Sequence, residues 1–385
     1  MPVLPQPKNG VILRIKDRPL EFSLWPVERT TRRYGLGARV FATDPWTVIR
    51  RSAERRCSAA TKDAAFALLE QAEDFFTAAS SGVKAAKPLL LYYCYMNLLK
   101  AFLLTSRKQN DVNNAQHGLS ELLDDAVPNP VELINAFLNA YQSPNAQGRL
   151  QNFSELFEQL TGAAVMANPT RYDLTKLMPQ IVPGHRLWVE GDSNSNGERF
   201  VSIERLDFVQ DVAAKEIWIR IYVVADDLKR INTTHQDFLI RTRLQATFRE
   251  TATAEVVNGR PMVCFEQQNG INYNHRPADK IPHLVATVRH LIWRTILIAP
   301  PYRKYYLYSA PVAEHAQVVP QTLSIYAITY YLGSIVRYRP HHFDRILRSN
   351  YGPFVESFLN DQASQFIYLM ASEFAEREVT KAAIV

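Results

Sequence analysis

Residues 88–104 read PLLLYYCYMNLLKAFLL, and this run decides the fold class that the sequence predicts. Pro88 suits the first turn of a helix, because its missing N–H has no partner there. The side chains that follow are apolar nearly all round, with Asn97 and Lys100 as the polar exceptions. A helix without a polar face must be buried on most of its sides. The run therefore predicts a central helix over residues 88–105.

The sequence on both sides of this run also has helical periodicity. Apolar residues recur at three- and four-residue steps over 59–79, and the short turn after them predicts an antiparallel helix pair with 88–105. Asn129, Pro130 and Glu132 are typical of a helix start, which predicts a helix over 130–141. Further helices are predicted at 153–161, from residue 282, at 320–338, at 341–349, near 353–360 and at 361–378.

The middle of the chain has the alternation of β-strands. Residues 216–224 read EIWIRIYVV, and residues 238–248 also alternate between apolar and polar side chains. Val257-Asn258-Gly259 is a hairpin signal, and 199–208 is a further strand candidate. We predict an α+β protein that is mostly helical, with two helical halves and an inserted antiparallel β-region. The predicted division is an arm of strands and loops at 1–56, helical halves at 57–165 and 283–385, and the β-region at 166–282.

Composition excludes several classes of function. The chain has 385 residues, a formal charge of +6 and three cysteines, and none of these cysteines forms a CxxC pair. No metal site, glycine-rich phosphate loop or cofactor motif is recognisable, so we predict neither a metal nor a cofactor. No signal peptide and no apolar run of bilayer length is evident, so we expect a cytoplasmic protein without a membrane partner. The mild positive charge permits an anionic partner.

One short segment concentrates positive charge at a predicted helix start. Residues 334–343 read SIVRYRPHHF, with Arg337 and Arg339 before Pro340 and two histidines after it. Arginine binds phosphate oxygens, and histidine transfers protons near neutral pH. A catalytic interpretation assigns Arg337 and His342 to a ribonuclease pair and Arg339, His341, Asn97 and Lys100 to phosphate binding. The alternative is a capped, partly exposed turn in which Arg337 pairs with a carboxylate elsewhere in the chain, with Asn97 in a core hydrogen-bond network.

Three segments carry a resemblance to a known family. The runs 88–104, HGL at 117–119 and YAITYYLGSIVRYRPHHFDRIL at 326–347 resemble the YaaC-like family of bacterial proteins. The resemblance covers most of the chain and implies a fold rather than a reaction. A weaker similarity is to HEPN domains, which bind or cleave RNA and carry Arg, four to six residues, then His. Arg337 and His342 match that spacing, and the similarity implies a homodimer and a role in stress or phage defence.

Two functions follow as expectations. The first is an RNA- or nucleotide-phosphate-binding protein that can act as a metal-independent endoribonuclease, with His342 as general base and Arg337 stabilising the transition state. The second is a non-enzymatic interaction module that binds a partner protein or a nucleic-acid backbone.

Overall fold

The structure is a computed structural model, which describes residues 3–15, 18–25, 39–82, 84–106, 111–165, 167–192, 197–296 and 304–381. These described residues are 47% helix and 21% strand. The prediction of a mostly helical protein is therefore wrong, although the α+β class is right. The reason is that strands at 11–12, 292–294 and 305–308 join the central sheet through long-range pairing, which local periodicity does not reveal.

The helices have the following bounds: α1 (Pro45–Arg56), α2 (Ala59–Ser80), α3 (Lys87–Thr105), α4 (Asn152–Thr161), α5 (Leu174–Leu177), α6 (His185–Gly191), α7 (Ala225–Arg230), α8 (His235–Arg241), α9 (Ile281–Ala286), α10 (Gln321–Tyr338), α11 (Pro340–Arg348) and α12 (Gly352–Ala375). The strands are β1 (Val11–Ile12), β2 (Arg14–Ile15), β3 (Arg18–Pro19), β4 (Arg39–Phe41), β5 (Leu119–Leu123), β6 (Ala136–Ala140), β7 (Thr170–Asp173), β8 (Phe200–Asp211), β9 (Glu216–Val224), β10 (Phe248–Thr251), β11 (Val256–Val257), β12 (Arg260–Gln267), β13 (Ile271–Asn272), β14 (Ile292–Arg294), β15 (Tyr305–Tyr308) and β16 (Glu378–Thr380). Short 3₁₀ helices lie at Met178–Gln180, Leu244–Ala246, Pro277–Lys280, Arg289–Leu291 and Val312–Gln317.

The chain forms two compact units. The sheet unit comprises Met1–Thr43, Gly197–Ala316 and Glu376–Val385, and the helix unit comprises Asp44–Asn196 and Gln317–Ala375. The four segments derived from the sequence follow chain order instead, and they stay a prediction. Residues 1–2, 16–17 and 26–38 of the predicted arm lie outside the described residues.

The sheet unit is built around a nine-stranded sheet. Its main order is β10-β12-β9-β8-β15-β14, and β1, β11 and β13 pair at its margins. The pairs in this sheet are antiparallel, and β9 spans the predicted residues 216–224. Beside this sheet, β4 and β16 form a parallel pair in which Arg39 lies opposite Glu378. The Glu378 carboxylate is fully buried, pairs with Lys304 and accepts a hydrogen bond from the Tyr305 hydroxyl at 3.0 Å.

The helix unit is centred on α3, which packs against α2, α10 and α12. Residues 321–335 of α10 are all buried, as are most residues of α3. Gly333 permits the close approach of these two helices, because a Cβ atom there would lie 3.0 Å from the Cβ of Tyr92. On the other side of α3, the rings of Tyr95 and Phe366 stack with centroids 3.8 Å apart. The sequence predicted α2, α3 and α10 within one residue at each end.

A three-stranded antiparallel sheet, in the order β5-β6-β7, completes the helix unit. The helix predicted at 130–141 is wrong, because Ala136–Ala140 is the central strand of this sheet. Ala136, Leu138 and Ala140 are buried, and the residues between them are half-buried. In the sheet unit, the strand predicted at 238–248 is also wrong, since α8 occupies the first part of it.

Helix α3 is long and apolar enough to span a membrane by length and composition alone. Its most apolar window has a mean hydropathy of 1.2, and 72% of that window is buried inside the protein. The core helix of a soluble protein passes the same test, so the feature is weak support for a membrane span.

Candidate functional site

The predicted basic segment lies at the junction of α10 and α11. Arg339 stands between the two helices, because Pro340 lacks an N–H group and disfavours helical geometry in the residue before it. The Arg339 N–H still donates to the Ile335 carbonyl at 2.7 Å, and its own carbonyl accepts from the His342 N–H at 2.8 Å. We call the surface formed by residues 337–342 the junction surface. Its side chains are exposed, except for that of His342, which is half-buried.

Arg337 is held by aromatic residues. Its Nη1 donates to the Tyr93 hydroxyl at 3.3 Å, and its guanidinium lies 4.9 Å from the ring centroid of Tyr338. Tyr93 is fixed in turn by stacking on Phe75, with ring centroids 5.5 Å apart. Across the residues that the structure describes, Arg337 has no ion pair with a carboxylate. Its charge is therefore oriented by the fold but not neutralised.

The remaining cations of the junction surface differ in their pairing. Arg339 and His341 are exposed, and neither forms an ion pair within the described ranges. His341 and His342 contact each other edge to face, with ring centroids 4.5 Å apart. Arg345, one turn further along α11, donates to both carboxylate oxygens of Glu132 at 2.7 and 2.9 Å. Arg345 is therefore neutralised by Glu132, whereas Arg337 and Arg339 have no ion pair in the described part of the chain.

His342 has a lowered pKa. Burial is the largest cause, and the positive charges of His341, Arg339 and Arg345 add to it, while Glu132 opposes them. The neutral imidazole is therefore favoured near neutral pH. Neutral imidazole is the form that can accept a proton from a substrate hydroxyl.

The contacts that the structure shows for Asn97 and Lys100 do not include residues of the junction surface. Asn97 is buried and donates to Oε1 of Gln71 at 2.6 Å, which ties α3 to α2. Lys100 is half-buried, and burial lowers its pKa. The structure brings together Arg337, Arg339, His341 and His342, and it gives Asn97 the core hydrogen bond that the alternative interpretation expected.

A polar cluster that the sequence did not predict supports α10 from the side of β5. The Glu121 carboxylate accepts from the Ser334 hydroxyl at 2.7 Å, and its other oxygen lies 3.1 Å from the Tyr330 hydroxyl. The Tyr330 ring lies 5.1 Å from that of His117, whose Nδ1 accepts from the Leu119 N–H. This acceptor role places the ring proton of neutral His117 on Nε2. Burial lowers the pKa of His117.

The three motifs that carried the resemblance therefore meet in one place. Tyr92 and Tyr93 come from 88–104, His117 from 117–119, and Tyr330, Ser334 and Arg337 from 326–347. A family model described as YaaC-like Protein matches residues 26–374, which is most of the chain.

The chain belongs to the YaaC-like family. No curated protein and no solved structure matches this YaaC-like chain. The similarity to HEPN domains has no support from these matches. In the described part of the YaaC-like chain, no group of three His, Cys, Asp or Glu residues is arranged to hold a metal ion.

Sequence reasoning missed Tyr93, Glu121 and Tyr338 as members or supports of the site. Tyr338 lies between two predicted site residues and Tyr93 lies within the run 88–104, but a local sequence does not tell whether a tyrosine is buried in the core or exposed. Glu121 carried no signal, because its partners Tyr330 and Ser334 lie more than 200 positions away. In this YaaC-like protein, Ser334 and Arg337 lie three residues apart on α10, and this spacing was the best sequence indication that other segments contact the helix there.

Proposed function

We propose that this YaaC-like protein binds RNA or a nucleotide through its phosphates at the junction surface. The observation that supports the proposal is that Arg337 and Arg339 are exposed and, over the described parts of the chain, have no carboxylate partner. Arg199 with Glu314 and Arg205 with Asp207 are in ion pairs, whereas Arg51 on α1 is exposed like Arg337 but has no histidine beside it in sequence. Two guanidinium groups without a carboxylate partner, on residues 337 and 339, offer the paired N–H donors with which arginine binds phosphate oxygens.

Replacing Arg337 or Arg339 by alanine is expected to lower the affinity for RNA and also to make that affinity less dependent on salt concentration. Each lost phosphate contact lowers the slope of log affinity against log salt by about 0.7 for a single strand. Fluorescence anisotropy with a labelled RNA over a series of NaCl concentrations measures both quantities. Arg51→Ala is the matched control, because it removes the same charge from an exposed position on α1. Equal losses in all three variants contradict the proposal, and preferential binding of an acidic protein supports the interaction module instead.

A second candidate function is metal-independent cleavage of the bound RNA. The lowered pKa of His342 favours it, because a neutral imidazole can take the proton of a ribose 2′-hydroxyl. Arg337 would stabilise the charge that develops on the phosphate. We expect wild-type protein to cut RNA with EDTA present and His342→Ala to cut about 100-fold or more slowly. Gel analysis of end-labelled RNA checks this. Undiminished cutting by His342→Ala rules out the assigned base, and no cutting at all leaves binding as the function.

A further inference from the structure

We propose that the ligand of the junction surface is single-stranded nucleic acid, with an unpaired base stacked on Tyr338. This inference rests on the proposed function and adds the class of ligand to it. The proposal follows from how three side chains in sequence are presented: Arg337, Tyr338 and Arg339 are all exposed at the end of α10. An aromatic ring between two cations is the combination that proteins use to bind single strands.

Tyr338 is positioned as a platform. Its side chain is 64% exposed, although large aromatic rings are ordinarily buried at least in part. The Arg337 guanidinium lies against its ring at 4.9 Å, which orients the ring and places a cation beside any stacked base. Burial of this ring by a base removes apolar surface from water and adds a stacking contact.

Tyr93 has the opposite role. It is half-buried, its ring stacks on Phe75, and its hydroxyl accepts from Arg337. It therefore holds the arginine through a hydrogen bond, and the ring face that packs on Phe75 is not free to receive a base. Tyr338 and Tyr93 both contact Arg337, which fixes the phosphate-binding cation relative to the stacking ring.

The histidine pair offers a second ring beyond Arg339. His341 is exposed, and its ring rests edge to face on His342. Histidine rings stack on unpaired bases in the same way as tyrosine rings. Along the chain, cations and rings alternate as Arg337, Tyr338, Arg339 and His341, which is suited to a strand whose phosphates and bases alternate. A duplex keeps the faces of its bases stacked inside, so it offers phosphates and base edges but no base face for an exposed ring.

The experiment compares wild type, Tyr338→Ala and Tyr338→Phe on three ligands: a single-stranded octanucleotide, the same sequence as a duplex, and polyphosphate. We expect Tyr338→Ala to bind the single strand about 5- to 100-fold more weakly, which is the range for loss of one stacked base. Tyr338→Phe should stay within about twofold, because stacking needs the ring and not the hydroxyl. Polyphosphate affinity should not change in Tyr338→Phe. In Tyr338→Ala it should fall much less than the single-strand affinity, because Tyr93 still contacts Arg337. Phe41→Ala is the matched control, since Phe41 is also 64% exposed but lies in the sheet unit.

A 2-aminopurine in the octanucleotide reports stacking separately from affinity. Its fluorescence should be quenched by wild type and by Tyr338→Phe, but not by Tyr338→Ala. Unchanged affinity and quenching with Tyr338→Ala would overturn this inference, and so would duplex binding as tight as that of the single strand. If Arg337→Ala and Arg339→Ala still weaken polyphosphate binding in that case, the phosphate-binding function stands. If they have no effect on any ligand, both proposals fail.

Discussion

Replacing Glu378 by glutamine is expected to lower the free energy of unfolding by about 3–5 kcal/mol, the cost of removing one partner from a buried ion pair. Glu378 is fully buried on β16, where it pairs with Lys304 and lies 3.7 Å from Nε of Arg39. Without the carboxylate, these cations would face one another in the interior. Glutamine keeps the size of the side chain, so the loss would come from the charge.

The pKa values of this group give the expected pH dependence. Burial alone would raise the pKa of Glu378, but Lys304, Arg294 and Arg39 outweigh it and hold the pKa below the ordinary 4.5. Lys304 is desolvated and lies near Arg39 and Arg294, which lowers its pKa to about 8 despite Glu378. A lowered carboxyl pKa adds stability that is fully present above 4.5 and is lost as the pH falls through the folded-state value. The difference between wild type and Glu378→Gln should therefore shrink below about pH 4.5.

Urea unfolding at pH 7 and at pH 3 measures both effects. Glu21→Gln is the control, because Glu21 also pairs with Arg39, at 2.9 Å, but its side chain is 60% exposed. That variant should change the free energy of unfolding by less than about 1 kcal/mol, as exposed ion pairs do. A loss below 1 kcal/mol for Glu378→Gln at pH 7 would show that the buried carboxylate is not what stabilises this cluster.

Replacing Phe366 by alanine is expected to cost about 3–5 kcal/mol in the helix unit. Phe366 is fully buried on α12, and its ring is nearly parallel to that of Tyr95 on α3, with an angle of 19° between them. Alanine would remove the stacking contact and leave a cavity that rigid helices cannot fill. Thermal and urea unfolding followed by circular dichroism measure the loss.

Phe366→Leu is the matched variant, because it keeps most of the volume and removes the aromatic stack. We expect it to cost about 1–2 kcal/mol. If the alanine and leucine variants lose the same amount, the cavity does not contribute and the stabilisation belongs to the ring pair alone. If neither loses stability, the α3–α12 contact is not part of the core.

The sequence predicted helices well where one periodic segment carried the whole signal. Helices α2, α3 and α10 are long and apolar, so their own residues require burial whatever surrounds them. The predicted helix at 130–141 failed because Ala136, Leu138 and Ala140 are buried by pairing with β5 and β7, which a local window does not contain. Over residues 238–248, the alternation of apolar and polar side chains wrongly predicted a strand. The Thr234 side chain accepts from the Asp237 N–H and starts α8, and this Thr-x-x-Asp pattern was visible in the sequence.

The part of the candidate site that could be predicted is the part whose residues are neighbours in the sequence. Arg337, Arg339, His341 and His342 come from one turn, and Pro340 fixes that turn by its own chemistry. The support of the site was not predictable, because Tyr93 and Glu121 reach α10 from distant segments. The hydrogen bond from Asn97 to Gln71 on α2 could not be predicted from the sequence, and a phosphate-binding role for Asn97 stays a prediction.

The parallel pair of β4 and β16 has a consequence for the order in which a nascent chain can assemble. Both segments of the helix unit, ending at Ala375, leave the ribosome before Glu378–Thr380 does. Residues 39–41 therefore have no strand partner until residues 378–380 have been synthesised. A chain that stopped before residue 378 would leave the β4 edge open and Lys304 without Glu378, and open strand edges promote aggregation. Closure of the β4 edge by β16 therefore marks the point at which the chain up to residue 380 has been synthesised.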